Sequence, residues 1–566
     1  MEDMCAAVSG NTVAENQYRL HSIRISKLLV ALFIQALVAI VAGQPVAREE
    51  GIPVTDPLVI AKCGTCHARD ARGNMERISW ERSTPEGWQE ALKKMLLEKR
   101  LALSPLEARS IVSYLSSSHG LAPQEAKPVT YYAERRIHDE TQIQDATLLD
   151  GCAKCHPVAR ILSWRRSAED WKELADTHAK QYKAEPNAAA VAFLSKTAPL
   201  HTLEWKSWSA RESRPDVQGR WLVNAHVPGR GIYYGEMQVD PGSAPEEFNT
   251  RVTLQSIRDG STLVRTGQIL IYGGYAWRGR SRGAAPANIA PDDPSNEARE
   301  ALWLSPDQTR AEGRWFWGQY QEFGFDVEMR RPSPNAALLA IDRQSLKIGS
   351  TASAIRLFGD NLPPKLTTSD LNLGSGLVVR RIDPHGSREI VAVVDVAANA
   401  APGRRDINLR GSVLKDALAI YDRVDYVKVT PESSLAGFGS AKYARGFGQF
   451  EAIGYQRGPD GKLHTADDLE LGPIDAAWSM EVFYAVDSSG NDKIGKVSPA
   501  GLFTPAAESP GINYDIWVMA TAVNETNKDG RPLVGKGYVV VTVPEYTFNG
   551  RNYVRDLDRW IEEGTW

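Results

Sequence analysis

Cysteine is scarce in this chain, with five residues in 566. A disulfide framework is therefore excluded, and a protein of this length must be held together by buried surface. No charge sign dominates either: 66 Lys and Arg stand against 70 Asp and Glu, for a net charge of -4. With the signs mixed throughout, no basic face points to nucleic acid or to an anionic membrane. The apolar run Leu28 to Ala42 is short for a membrane span and contains Gln35. Arg19, Arg24 and Lys27 precede it and Ala42-Gly43 follows, so residues 1–43 read as an export signal, with a mature start near Gln44. A Ser/His/Asp constellation, a nucleotide fingerprint and a spare His/Cys cluster for a catalytic metal are all missing.

Four of the five cysteines fall in two Cys-x-x-Cys-His runs, Cys63-Gly-Thr-Cys66-His67 and Cys152-Ala-Lys-Cys155-His156. Each is the attachment signature of a c-type haem, in which two thiols bond to the vinyl groups and the adjacent His takes the iron from below. A zinc site would need no His after each pair, and a thioredoxin-like dithiol would need a βαβ context. Two covalently bound haem c groups are expected, with Cys63, Cys66, Cys152 and Cys155 as anchors and His67 and His156 as proximal ligands. The fifth cysteine, Cys5, lies in the export signal. Such haem is attached outside the bacterial cytoplasmic membrane, so the periplasm is the expected location.

The haem region repeats. Arg77-Ile-Ser-Trp-Glu-Arg-Ser83 and Trp88 in the first half match Arg160-Ile-Leu-Ser-Trp-Arg-Arg-Ser167 and Trp171 in the second. Two tandem helical units follow from this, over residues 44–125 and 126–207. Helices are expected over Glu86–Arg100, Pro105–Ser117, Ala168–Tyr182 and Pro186–Lys196, with Ser at the cap and Pro just inside the starts at Ser83 and Ser104. Seven residues past the aligned Trp stand Met95 and His178. Both residue types bind low-spin haem iron, and a thioether raises the potential relative to a second imidazole. The expected ligand sets are His67/Met95 and His156/His178, with Met75 and His119 as other choices for the first and His201 for the second. Arg77, Arg82, Arg160 and Arg166 occupy equivalent places and could pair with haem propionates or face solvent.

From about Trp208 the pattern turns to short strands broken by Gly, Pro, Asn and Asp. Six to eight antiparallel strands over 208–332 suggest a small closed barrel with a filled interior, and Arg278 to Asn296 reads as a long exposed loop. Residues 333–430 and 431–566 read as two immunoglobulin-like β units. In the second, Asp460, Asp467, Asp468, Asp487 and Asp492 crowd two loops; without a calcium-loop signature, solvated turns are the favoured reading.

An N-terminal di-haem domain followed by a barrel and two immunoglobulin-like units resembles the alpha subunit of quinohemoprotein amine dehydrogenase over essentially the whole mature chain. The resemblance implies a periplasmic heterotrimer with a β-propeller subunit and a small subunit that carries a cysteine tryptophylquinone. Primary amine would be oxidised to aldehyde and ammonia on the small subunit. This chain would take the electrons and pass them to a soluble cytochrome c or blue copper protein. On driving force alone, the bis-His haem is expected nearer the quinone and the His/Met haem nearer the exit. Two other classes stay open: a free-standing di-haem electron carrier, and a di-haem peroxidase.

Overall fold

Helix α1 (Pro57–Cys63) begins where the Asp56 side chain accepts a hydrogen bond from the Val59 amide, and it ends on the first cysteine of the first motif. The computed structural model that shows this describes residues 49–544, apart from 137–145, 154–155, 184, 186, 212–215, 285–288, 442, 484–490 and 528. Residues 1–43, read above as an export signal, and Cys155 lie outside the described residues. Helix α2 (Pro85–Glu98) is capped by Thr84, which accepts from the Gly87 amide, and not by Ser83 as the sequence suggested. The Ser83 hydroxyl instead donates to the Ser163 carbonyl at 3.0 Å. Helix α3 (Pro105–Ser118) opens on a full capping box of Ser104 and Glu107. The second half follows the same plan with α4 (Val158–Leu162), α5 (Ala168–Tyr182) and α6 (Ala188–Thr197). Among the described residues no helix is long and apolar enough to cross a membrane.

The two halves clasp each other through a ladder of two three-residue strands. Strand β1 (Glu81–Ser83) runs antiparallel to β2 (Trp164–Arg166), pairing Glu81 with Arg166, Arg82 with Arg165 and Ser83 with Trp164. In the sequence alignment Glu81 matches Arg165 and Arg82 matches Arg166, so each half contributes the same two positions in opposite order. A local twofold axis therefore passes through the ladder. The helices obey it: Trp88 donates its indole N–H to the His119 carbonyl at 2.9 Å, and Trp171 does the same to the Ala198 carbonyl at 3.0 Å. His119 and Ala198 are the residues that close α3 and α6.

Eight strands then close a barrel: β3 (Gly219–Val227), β4 (Gly231–Pro241), β5 (Glu247–Ser256), β6 (Thr262–Tyr272), β7 (Ala276–Gly283), β8 (Ala298–Leu304), β9 (Arg310–Trp317) and β10 (Phe323–Arg330). Each pairs antiparallel with the next, and β10 pairs with β3 to remove both edges. Trp221, Trp277, Trp315 and Phe325 are fully buried on the inward-facing register and fill the interior. Gly235 and Gly267 let neighbouring strands come close, since a Cβ at either would fall 2.0 or 2.3 Å from a carbonyl oxygen across the sheet. Strand β7 corrects the sequence reading, which began a loop at Arg278. Its inward positions are Trp277, Gly279 and Ser281 and its outward ones are arginines, so it lacks the apolar alternation that marks a strand.

The barrel meets the helical region through Arg278, whose Nε lies 2.5 Å from Glu86, and through the Trp303 indole, which donates to the Pro123 carbonyl at 2.8 Å. Two β units follow, the first with two four-stranded sheets and the second with one four-stranded and two three-stranded sheets. In the second, Asp468 accepts from the Tyr426 hydroxyl and from the Gly458 and Thr465 amides at 2.6–3.0 Å. Asp460 accepts from the Lys462 amide at 2.8 Å. These carboxylates accept hydrogen bonds from their own loop and from Tyr426; Asp487 lies outside the described residues.

Candidate functional site

Both motifs have the same closing bond: the His67 amide donates to the Cys63 carbonyl at 2.9 Å, and the His156 amide to the Cys152 carbonyl at 3.2 Å. Cys63 packs against the apolar cluster that contains Val59, Met75 and Trp88, and burial pushes its thiol up to about 11. Cys152 sits against Leu148, Val158 and Trp171 and is likewise raised by burial. Cys66 is exposed. The His67 ring donates from Nδ1 to the Glu76 carbonyl at 3.0 Å, which leaves Nε2 with a lone pair free for a metal.

Across from the second motif, His178 on α5 faces His156 with ring centres 6.5 Å apart and planes at 85°. Its Nδ1 donates to the Leu174 carbonyl one turn back at 3.0 Å, so its Nε2 too carries a lone pair. Two imidazoles on opposite sides of one metal, each bonded at about 2.0–2.1 Å, put their ring centres about 6 Å apart. Among the described residues no group of three or more His, Cys, Asp or Glu could hold a metal ion. A facing pair with no third such ligand among the described residues suits a metal that takes its other ligands from a macrocycle, so the residues present fit a haem.

Met95 occupies the matching place, the eleventh residue of α2 as His178 is of α5, and is half-buried there. The other choices fare differently. Met75 is wholly buried, with its methyl 3.9 Å from where a Cβ on Gly64 would stand, against the motif turn itself. The His119 Nε2 is engaged by the Ile52 carbonyl at 3.1 Å inside the first unit. His201 lies against Trp205, with ring centres 5.4 Å apart.

The four aligned arginines separate. Arg82 is fully buried and spends its guanidinium on both Glu125 oxygens (2.8 and 3.0 Å) and on the Gly120 and Leu200 carbonyls (3.0 and 2.6 Å). With four of its five N–H donors engaged and no exposure, Arg82 acts as a structural staple. Arg166 pairs with Glu81 across the ladder and lies over the rings of Trp164 and Trp171 at 4.6 and 5.6 Å. It too is committed. Arg77 is exposed and pairs with Glu173 of the other half, and exposed Arg160 reaches His156 Nδ1 at 3.3 Å.

Sequence reasoning missed Glu125. Besides Arg82 it takes Arg165 at 3.3 Å, the Thr202 hydroxyl at 2.9 Å and the Ala122 amide at 2.8 Å. Burial alone would raise its carboxyl, but the two guanidiniums and these donors hold it below the ordinary range. Beyond the helical region, His156 and Pro157 form part of the wall of a cleft of about 990 Å³, which the barrel lines with His226 and Arg314 and the last β unit with Glu451.

Buried His119 carries a pH prediction. Burial depresses its imidazole to about 4 from 6.5, so the folded form resists a proton that the unfolded chain accepts. Folding stability should therefore fall as pH drops from 6.5 to 4, by about 3 kcal/mol for this group, and level off below. Denaturant midpoints across that window should show a shallower slope in His119→Asn; an unchanged slope would remove His119 as the cause.

Family models match along the chain in order. The model described as quinohemoprotein amine dehydrogenase A, alpha subunit, haem binding, covers residues 54–192. The models for alpha subunit domains II, III and IV of the same enzyme cover 214–332, 335–422 and 427–552. No curated protein matches. Among solved structures, a redesigned beta barrel shares 14% identity over 21% of this chain and 92% of its own, with a TM-score of 0.17. The N-terminal Ig1-2 module of the Drosophila receptor protein tyrosine phosphatase DLAR shares 12% identity over 37% of this chain and 98% of its own, with a TM-score of 0.12.

Proposed function

The chain belongs to the alpha-subunit family of the quinohemoprotein amine dehydrogenases, and on that premise we propose that it is the electron-carrying di-haem subunit of a periplasmic complex that oxidises primary amines. The facing pair of His156 and His178 carries this reading, because it sets two imidazoles at the spacing that one iron spans. Bound haem c would supply reversible one-electron storage at each motif. Cys63 and Cys66 would anchor one group and Cys152 and Cys155 the other. His67 and His156 would hold the proximal faces, and Met95 and His178 the distal ones.

The protein's own residues do the rest. The Glu76 carbonyl fixes the His67 tautomer and the Leu174 carbonyl that of His178, so neither ring turns its protonated nitrogen inward. Apolar side chains back Cys63 and Cys152, each half-buried against its own cluster. Of the four aligned arginines, exposed Arg77, paired with Glu173, and exposed Arg160, beside His156, would be the ones able to turn to haem carboxylates.

The partners of this reading are a β-propeller subunit and a small subunit bearing the cysteine tryptophylquinone, where amine becomes aldehyde and ammonia. A soluble cytochrome c or blue copper protein would be the acceptor. The cleft beside His156 gives a second chain room to come within reach of the second motif, which favours that end as the entry. Purifying the native complex under haem absorbance should yield this chain with one propeller-sized and one small chain, and adding a primary amine should reduce the haem. A single chain that amines leave oxidised would refute the proposal.

A further inference from the structure

The two proximal histidines have opposite neighbours at Nδ1. In the first unit the partner is a backbone carbonyl, that of Glu76, at 3.0 Å. That carbonyl is free because Arg77, the next residue, takes a φ of 60°, which turns the chain out of any helix at that point. In the second unit the aligned residue is Ala159, inside α4, where its carbonyl accepts from the Ser163 amide at 2.8 Å. It cannot serve His156. The helical path of the next residue instead brings the Arg160 guanidinium to the ring, 3.3 Å from Nδ1. One change in local backbone thus exchanges an acceptor for a cation.

We infer that Arg160 is a positioning residue of the second motif, which sets a positive charge beside the proximal imidazole and thereby raises the potential of the haem bound there. A carbonyl that accepts from Nδ1–H pushes electron density toward Nε2 and favours ferric iron; a nearby cation favours the ferrous form. In the chain alone Nδ1 accepts from the guanidinium; with a metal on Nε2, Nδ1 would keep its proton and the guanidinium would act through its charge. The Met95 and His178 ligands spread the two potentials apart, and the Glu76 carbonyl and Arg160 draw them back together. Because Arg160 is exposed, salt screens its effect. The inference rests on the proposal that each motif holds a haem.

The test uses the native complex with Arg160→Leu and Arg160→Lys, read by potentiometric titration of both haems at low and high salt, with intact mass to count attached haem. In Arg160→Leu the ratio of reduced to oxidised second haem should fall about three- to tenfold at fixed potential, a downward shift of ~30–60 mV at 59 mV per tenfold for one electron. The first haem should not move, Arg160→Lys should keep most of the wild-type value, and high salt should shrink the difference. With both haems attached, an unchanged or raised second potential would overturn the inference. A wild-type chain whose mass shows no haem at the second motif would instead overturn the reading beneath it.

Discussion

Arg82→Ala should cost the protein about 3–5 kcal/mol, the usual penalty for removing one partner of a buried ion pair. The substitution leaves Glu125 buried with only Arg165 as a cationic neighbour, and it strips donors from the Gly120 and Leu200 carbonyls. Those contacts join the first half of the helical region to segments 38 and 118 residues away, so the loss falls on tertiary structure and not on one helix. Denaturant unfolding should show a lowered midpoint. A double variant, Arg82→Met with Glu125→Leu, should recover part of the loss, because it removes the stranded carboxylate together with the charge that balanced it. If Arg82→Ala unfolds at the wild-type midpoint, Arg82 does not clasp the halves and its propionate role reopens.

His178→Met should leave a second haem that is still low-spin but easier to reduce, its potential raised by roughly 60–120 mV as a tenfold to hundredfold change in the reduced-to-oxidised ratio. His178→Ala should leave an open face and a high-spin spectrum. Met stands at the same helical register in the first half, so the exchange asks the second unit to adopt the ligand set assigned to the first. Redox titration with visible spectra decides the matter: if neither variant alters the second haem, His178 is not its ligand.

The haem-binding region and the barrel were legible because each rests on local spacing. Cys-x-x-Cys-His is a five-residue pattern, the shared helical register of Met95 and His178 follows from a fixed step past an aligned Trp, and most barrel strands alternate in and out. Strand β7 was not legible, since glycine and serine inside and arginine outside give no apolar period. The Thr84 cap was masked by Ser83, which is drawn into the β1–β2 ladder. The fate of Arg82 was hidden for a different reason: its partner Glu125 lies in another segment, and only the pairing of the two halves buries them together. Repeat alignment treats both copies as equivalent surfaces, whereas the ladder turns their matching arginines inward.

That ladder sits on the twofold axis of the helical region, with three residue pairs and the Arg77–Glu173 contact spanning it. That joint, with the Arg82 bond to the Leu200 carbonyl and the Ser83 bond to the Ser163 carbonyl, holds the two motif-bearing halves at one span. On the reading proposed above, a chain seated in the cleft beside His156 would alter what the second motif sees without changing that span. Traffic between the two sites would then run at one constant pace, and any gate would have to stand at the ends of the line.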